Sequence, residues 1–186
     1  RTHVDVDPGL GLRGIEVVRE AVADYGDALT VEVVAFPQDG VLRRPGVLEM
    51  LADAARAGTD HLGGLDPATI DRDPVGQINA VLGLAAEHGV GVDIHLHDAA
   101  ELGAFQIELI LDRTEALGLE GRVNIAHVFA VAQLGAPQRH DLLARMGALG
   151  VSMTTVAPLR LPQLPLGELD AAGVRLGFGT DGIRDL

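Results

Sequence analysis

The segment DIHLHDAAE, residues 93–101, contains the residue types best suited to chemistry in this sequence. If the segment begins as a β-strand, alternation places Asp93, His95 and His97 on one face and apolar residues on the other. The apolar face must pack against helices. The polar face is then justified only by a metal ion, a ligand or a satisfied network of polar groups.

Further polar candidates stand where other predicted strands end. His127 ends the run VNIAH, Asp181 ends the run GFGTD, and Gln38 follows the run VEVVAF. Two or three imidazoles and one carboxylate form a ligand set that zinc or ferrous iron accepts, with a water molecule completing the site. We predict a metal site that includes His95 and Asp181, with a buried polar network as the alternative.

Other acids and histidines have simpler interpretations. Three acids that follow predicted strands are typical of helix caps or turns, namely Asp7, Asp39 and Asp66. Three histidines away from strand ends are interpreted as surface or packing residues, namely His61, His88 and His140. His3 and Asp5 share a strand face, so they could satisfy each other or contact a ligand.

One structural unit recurs along the chain about every thirty residues and must position these side chains. Apolar strand-like runs begin near residues 2, 30, 61, 91, 123, 151 and 174, with helical periodicity between them. A glycine suited to ending a helix precedes six of the runs: Gly26, Gly58, Gly89, Gly118, Gly150 and Gly173. This rhythm predicts successive βα units, with parallel strands and right-handed crossovers.

A closed barrel and an open doubly wound sheet both contain such units. The first strand is not followed by a glycine-rich phosphate loop, which favours the barrel. We therefore predict an α/β fold, an incomplete TIM (β/α)8 barrel with seven parallel strands, formed by residues 1–186 as one partial catalytic domain. In such barrels the active site lies at the carboxyl ends of the strands.

Composition restricts the chemistry and the partners. The formal net charge of −13 argues against nucleic acid and against anionic membrane surfaces, and it favours a small neutral or cationic substrate. We find neither an apolar stretch of membrane-spanning length nor a leader, so a cytoplasmic location is expected. The absence of cysteine excludes thiolate chemistry and Cys-ligated zinc. All 14 basic residues are arginine, which excludes a Schiff-base lysine and a carbamylated lysine that bridges two metals.

Five segments together resemble the cytosine deaminase branch of the amidohydrolase superfamily. They are, in this order and at this spacing, RTHVDVD, VEVVAFPQDG, DIHLHD, VNIAH and GFGTDG. The likeness runs over the whole chain and corresponds to strands two to eight of that family's barrel. It implies that the His-x-His pair of the family's first strand lies outside this sequence.

The resemblance implies a role for each matching residue. His95 would be a metal ligand, and Asp181 would ligate the metal and accept a proton from its water. His127 would contact the metal or polarise the substrate. Gln38 would hydrogen-bond the ring of a pyrimidine-like substrate, and Asp98 would pass protons to the ring and the leaving group.

Two positions differ from the cytosine deaminase pattern. Asp98 stands where those enzymes have a glutamate, and Gly182 stands where they have a second acid after the eighth-strand aspartate. These differences favour relatives that act on other N-heterocycles, such as the N-isopropylammelide hydrolases.

The expected function is hydrolysis of a C–N bond of an N-heterocycle, with release of ammonia or an amine. The expected cofactor is one divalent metal ion, with zinc preferred to iron. The full-length protein is expected to be a homo-oligomer. Two alternatives remain open. One is a divalent-metal lyase or aldolase barrel acting on a 2-oxo acid, because such enzymes also use an H-x-H-D segment. The other is a barrel fragment that is catalytically incomplete.

Overall fold

The computed structural model describes residues 1–156 and 163–181. Backbone contacts divide the chain into two compact units, Arg1–Asp93 and Ile94–Leu186. Strand β4 (Gly91–Leu96) crosses the division. No helix in the described part of the chain combines the length and the apolar character needed to cross a membrane.

The first unit alternates strands and helices. Its elements are β1 (Thr2–Asp5), α1 (Arg13–Ala23), β2 (Val33–Phe36), α2 (Val47–Arg56), β3 (His61–Leu65), α3 (Pro74–His88) and the start of β4. Strand β1 pairs in parallel with β2, with Thr2 opposite Val33, and β2 pairs in parallel with β3, with Val34 opposite His61.

The second unit continues the same alternation. After the end of β4 its elements are α4 (Ala100–Leu117), β5 (Val123–His127), α5 (Ala130–Gln133), α6 (Ala136–Ala148), β6 (Ser152–Thr155), α7 (Leu166–Ala171) and β7 (Leu176–Phe178). Strands β5 and β6 are parallel, with Asn124 opposite Ser152, and β6 and β7 are parallel, with Met153 opposite Leu176.

The predicted rhythm of βα units agrees with these elements. In the described residues, seven strands follow one another in chain order in the sheet. All six predicted helix-ending glycines have positive φ angles, between 55° and 80°. Strand β2 begins at Val33 rather than near residue 30, and a short 3-10 turn, Gly26–Ala28, precedes it.

The core is aliphatic, as the composition requires. On β4 the alternate residues Val92, Ile94 and Leu96 are fully buried. Helix α2 buries Val47, Leu51, Ala54 and Ala55, which recur at the spacing of one helix face.

Helix α3 shows how local sequence sets the limits of an element. Asp73 caps its first turn by accepting a hydrogen bond from the N–H of Gly76, and Pro74 occupies the first helical position. Gly89 ends the helix in the left-handed conformation.

Gly103 in α4 provides a stability prediction. A Cβ atom at this position would collide with the carbonyl oxygen of Asp98 and would lie 2.5 Å from the Cβ of Ala130. We expect Gly103→Ala to lower the free energy of unfolding by about 1–3 kcal/mol, because overpacking outweighs the better helix propensity of alanine. Urea unfolding monitored by circular dichroism measures the effect.

Gly83 in α3 is the matched control, because a Cβ there meets no atom within 4 Å. Gly83→Ala should raise the free energy of unfolding by up to about 1 kcal/mol through helix propensity alone. If Gly103→Ala stabilises the protein as much as Gly83→Ala does, the close contact with Asp98 is contradicted.

Candidate functional site

A cluster of histidines lies at the carboxyl ends of two neighbouring strands in the second unit. His95 is the second-last residue of β4, and His127 is the last residue of β5. His127 Nε2 lies 3.3 Å from His95 Nδ1. His97 stacks on His127, with ring centroids 4.1 Å apart and an interplanar angle of 28°. The structure therefore brings together the two histidines that the sequence singled out.

The His95–His127 separation fits a shared divalent ion. Two nitrogens each about 2.0–2.1 Å from a tetrahedral zinc ion lie about 3.3–3.4 Å from each other. The same distance also fits a hydrogen bond in which one ring nitrogen donates and the other accepts. The pair can thus hold either a proton or a metal ion between its two nitrogens.

The backbone at the end of β5 is strained. His127 has φ 69° and Val128 has φ 52°, both in the left-handed region. That conformation is unusual for a residue other than glycine and is a clear outlier for a β-branched valine. The Val128 N–H donates to the carbonyl oxygen of Leu96, so the turn remains attached to β4. Strain of this kind is concentrated at functional sites, and the sequence contained no signal for it.

Asp98 is held by a buried amide that the sequence analysis missed. Gln106 Nε2 donates to Asp98 Oδ2 at 2.9 Å and to the carbonyl oxygen of Leu102 at 3.1 Å. The Gln106 side chain is fully buried in α4. In the sequence, the signal for this contact was a glutamine on the apolar face of a predicted helix. Its effect is to fix the direction of the Asp98 carboxylate.

Asp181 lies three residues after the end of β7. Its side chain is exposed, and its φ angle is 54°. Its proposed role as a metal ligand therefore stays a prediction. Gly182, the position at which the family pattern has a second acid, lies outside the described residues.

A network of charges surrounds a buried carboxylate in the first unit. Arg1 donates to Asp93 Oδ2 at 2.9 Å and to Glu32 Oε2 at 3.0 Å. His3 Nε2 lies 3.6 Å from the same Asp93 oxygen, which explains its polar position on β1. Asp93 is only 1% exposed, so its charge needs this compensation. On β4, Asp93 and His95 are alternate residues and face the same side of the strand.

The same charges shift several pKa values. Burial opposes the charge of Arg1, but its bonds with Asp93 and then Glu32 outweigh burial and raise the Arg1 pKa. The hydrogen bond from Arg1 lowers the pKa of Glu32. Burial, followed by the positive charge of Arg1, lowers the pKa of His61. His61 Nε2 lies 3.4 Å from Glu32 Oε2 at the start of β3, which agrees with the interpretation of His61 as a surface or packing residue.

Three acids lie at the end of β1 and in the loop after β2. Burial, followed by the negative charges of Asp7 and Asp39, raises the pKa of Asp5. Asp7 Oδ1 accepts from the N–H groups of Gly9 and Leu10, which agrees with the turn interpretation. Asp39 is paired with Arg44 at 3.8 Å.

Gln38 borders a cavity of about 320 Å³ in the first unit. The cavity is lined by Gln38, Asp39, Arg43, Arg44 and Ile70. Its volume lies at the lower end of the range of small-molecule sites, roughly 300–1,000 Å³. The residue predicted to contact a heterocyclic ring is therefore next to a space of suitable size.

Comparisons with known proteins now identify the family. A model of the amidohydrolase family matches residues 10–185. The chain belongs to the amidohydrolase family. This membership confirms the resemblance inferred from the five sequence segments.

Three relatives of the amidohydrolase chain are informative. N-isopropylammelide isopropyl amidohydrolase of Pseudomonas sp. strain ADP is 31% identical over 185 residues, which cover 100% of this chain and 46% of that protein. The crystal structure of N-isopropylammelide isopropylaminohydrolase from Burkholderia multivorans is 45% identical, with a TM-score of 0.96 over 100% of this chain and 47% of that one. The crystal structure of 5-methylcytosine deaminase from Klebsiella pneumoniae, liganded with phosphonocytosine, is 26% identical to this chain. Its TM-score is 0.83 over 100% of this chain and 48% of that one.

The structural matches confirm the predicted fold class, an α/β fold whose seven parallel strands correspond to part of the TIM barrel of amidohydrolases. The chain spans less than half of the length of each of these relatives. That residues 1–186 form one catalytic domain stays a prediction.

Proposed function

We propose that the protein containing this chain is a metal-dependent hydrolase that cleaves a C–N bond of an N-heterocycle and releases ammonia or an amine. The main support is the His95–His127 pair, whose ring nitrogens lie 3.3 Å apart at the ends of adjacent strands. The whole of this chain also matches 47% of the length of an N-isopropylammelide isopropylaminohydrolase. Membership of the amidohydrolase family supports hydrolysis rather than another use of the metal site.

The proposed cofactor is one divalent ion, with zinc preferred to iron, held by His95 and Asp181, with further ligands outside this sequence. His127 is either a third ligand of the ion or a contact to the substrate. When bound, such an ion would supply Lewis-acid activation of water at neutral pH. The nitrogen separation of the histidine pair supports this assignment. A single ion is proposed because the chain has no lysine that could be carbamylated to bridge two metals.

The protein side chains have separate roles in the proposed hydrolysis. Asp181 accepts a proton from water as its oxygen adds to the ring carbon. In the role that leaves His127 off the metal, its imidazole donates a hydrogen bond to the water oxygen as that oxygen gains negative charge. The proton that Asp181 accepts is passed on through Asp98, which Gln106 directs, to the nitrogen as the C–N bond breaks. Ammonia or an amine then departs neutral, and both carboxylates are restored. Gln38 binds the planar ring through hydrogen bonds, because its amide can both donate and accept them.

The proposed substrate is a small neutral or cationic heterocycle, either a pyrimidine or an aminotriazine. The net charge of −13 supports this choice and opposes nucleic acid and anionic membranes as partners. Asp98 in place of a glutamate favours the triazine class over cytosine. The proposal extends to a cytoplasmic location and a homo-oligomeric assembly.

The test is a substrate panel assayed with the metal-loaded protein of complete natural length. Cytosine, isocytosine, creatinine and N-alkyl ammelide compounds are scored by release of ammonia or amine. We expect release from at least one N-alkyl ammelide compound and loss of that release after chelation of the metal. Cleavage of a 2-oxo acid without release of ammonia would instead support the lyase alternative, and inactivity of the metal-loaded protein on the whole panel would support a catalytically incomplete barrel.

A further inference from the structure

We propose that Asp71 is a positioning residue that holds the loop carrying Gln38, and thereby sets how tightly the heterocyclic substrate is bound. The inference rests on the proposed function for its link to substrate. The loop in question, residues 37–43, follows β2 and is called here the Gln38 loop. Asp71 belongs to a different segment, which connects β3 with α3.

The Asp71 carboxylate binds three consecutive backbone N–H groups of the Gln38 loop. Asp71 Oδ2 accepts from the N–H groups of Val41 at 3.1 Å and Leu42 at 3.0 Å, and Asp71 Oδ1 accepts from the N–H group of Arg43 at 3.1 Å. Successive N–H groups that converge on one anion form a stable nest, and charge strengthens each hydrogen bond. One side chain therefore determines the path of half of the loop.

A buried amide holds Asp71 in turn. Gln77 Nε2 donates to Asp71 Oδ2 at 2.8 Å and to the carbonyl oxygen of Leu65 at 3.2 Å. The Gln77 side chain is fully buried in α3, and Leu65 is the last residue of β3. The carboxylate is thus attached to two regular elements of the first unit and does not move independently of them.

The backbone around Asp71 is constrained. Residues Pro67–Asp71 form a turn of π-helix, an element found often at functional sites. Left-handed residues flank it on both sides, Asp66 with φ 33° and Arg72 with φ 59°. Such backbone persists only where the surroundings impose it. Ile70 in this turn packs against the core residues Val34, Phe36 and Leu65.

Gly40 shows how closely the two segments approach. A Cβ at Gly40 would collide with Asp71 Oδ1 and would lie 3.0 Å from Ile70 Cγ2, and the φ angle of Gly40 is 98°. The Gly40 N–H also donates to the carbonyl oxygen of Pro37 at 2.9 Å, so residues 37–40 form a tight turn. Gln38 lies inside this turn. Its position therefore follows from the position of residues 40–43.

The physical consequence concerns binding more than the chemical step. Without the carboxylate charge, the three N–H groups lose a strong acceptor and the Gln38 loop samples other conformations. The Gln38 amide is then no longer preorganised, and ordering it again reduces the affinity for the ring. The Asp98, His127 and Asp181 side chains, which carry the proposed chemistry, do not depend on these bonds.

The decisive variant is Asp71→Asn, which keeps the size of the side chain but removes its charge and turns one acceptor into a donor. We expect amide hydrogen exchange of residues 41–43 to become about tenfold faster or more, because their opening no longer breaks charge-assisted bonds. In the protein of complete natural length we expect KM to rise about tenfold while kcat changes less than about threefold. Bound metal should be unchanged.

Asp112→Asn is the matched control, because it makes the same substitution at a carboxylate of α4 that accepts a hydrogen bond from Arg145 at 2.6 Å. It should leave KM and the exchange of residues 41–43 unchanged, which separates loop positioning from the loss of one charge and one hydrogen bond. Gly40→Ala is a second test, because it separates the loop from an intact Asp71 and should reproduce the increase in KM.

The outcomes distinguish this inference from the proposed function. Unchanged exchange of residues 41–43 in Asp71→Asn overturns the positioning role whether or not the protein hydrolyses a heterocycle. Faster exchange with an unchanged KM, or with a fall in kcat alone, overturns the link to substrate binding. A wild-type protein that hydrolyses none of the panel compounds overturns the proposed function, and the exchange measurement then decides the structural role of Asp71 by itself.

Discussion

His95→Ala is expected to remove the bound divalent ion and to lower kcat/KM by roughly 1,000-fold or more, because activation of water contributes several kcal/mol to hydrolysis by metal enzymes. His95 is near the end of β4, and its Nδ1 atom is 3.3 Å from His127 Nε2. Alanine cannot ligate a metal, so the variant loses one of the two ring nitrogens whose separation fits a shared ion.

Metal content per chain and kcat/KM on the best compound of the panel measure this effect. His140→Ala is the matched control, because His140 is an exposed residue of α6 and the chemical change is the same. The control should retain both metal and activity. A His95→Ala protein that still contains one metal ion per chain and turns over substrate would contradict the proposed site.

His127→Asn is the second large effect, with an expected fall in kcat of about 100- to 1,000-fold, the usual cost of removing a donor to a developing oxyanion. His127 has φ 69° and is only 5% exposed. Asparagine tolerates the left-handed backbone better than most residues, so the fall should report the loss of the imidazole rather than misfolding. The shorter amide does not reach the place of the imidazole Nε2.

Metal analysis of the same variant separates the two roles that the resemblance left open for His127. Loss of metal together with kcat indicates a ligand, whereas retained metal with reduced kcat indicates polarisation of the substrate. His88→Asn, at the end of α3, is the control for the substitution itself and should be active. If His127→Asn keeps kcat within about tenfold of the wild-type value, neither role holds.

Local sequence patterns were sufficient to predict the fold. The recurrence of strand, helix and glycine predicted the βα units, because strands, helices and helix ends each depend on residues that are close together in the sequence. Hydrophobic periodicity selects the element, and a left-handed residue ends the helix. The burial of Val92, Ile94 and Leu96 followed from strand alternation for the same reason.

The pairing of His95 with His127 was predictable in outline, because the carboxyl ends of adjacent parallel strands meet at one edge of the sheet. What the sequence determined by itself was therefore the order of elements, the polar face of β4 and the residue types at the strand ends.

Only the tertiary structure decided which polar atoms meet across that framework. The bond from Gln106 to Asp98, the contact of His3 with Asp93 and the nest of N–H groups around Asp71 join residues from different elements. Their distances depend on strand register, side-chain rotamers and strained backbone, all of which are set by packing of the whole chain rather than by neighbours in sequence.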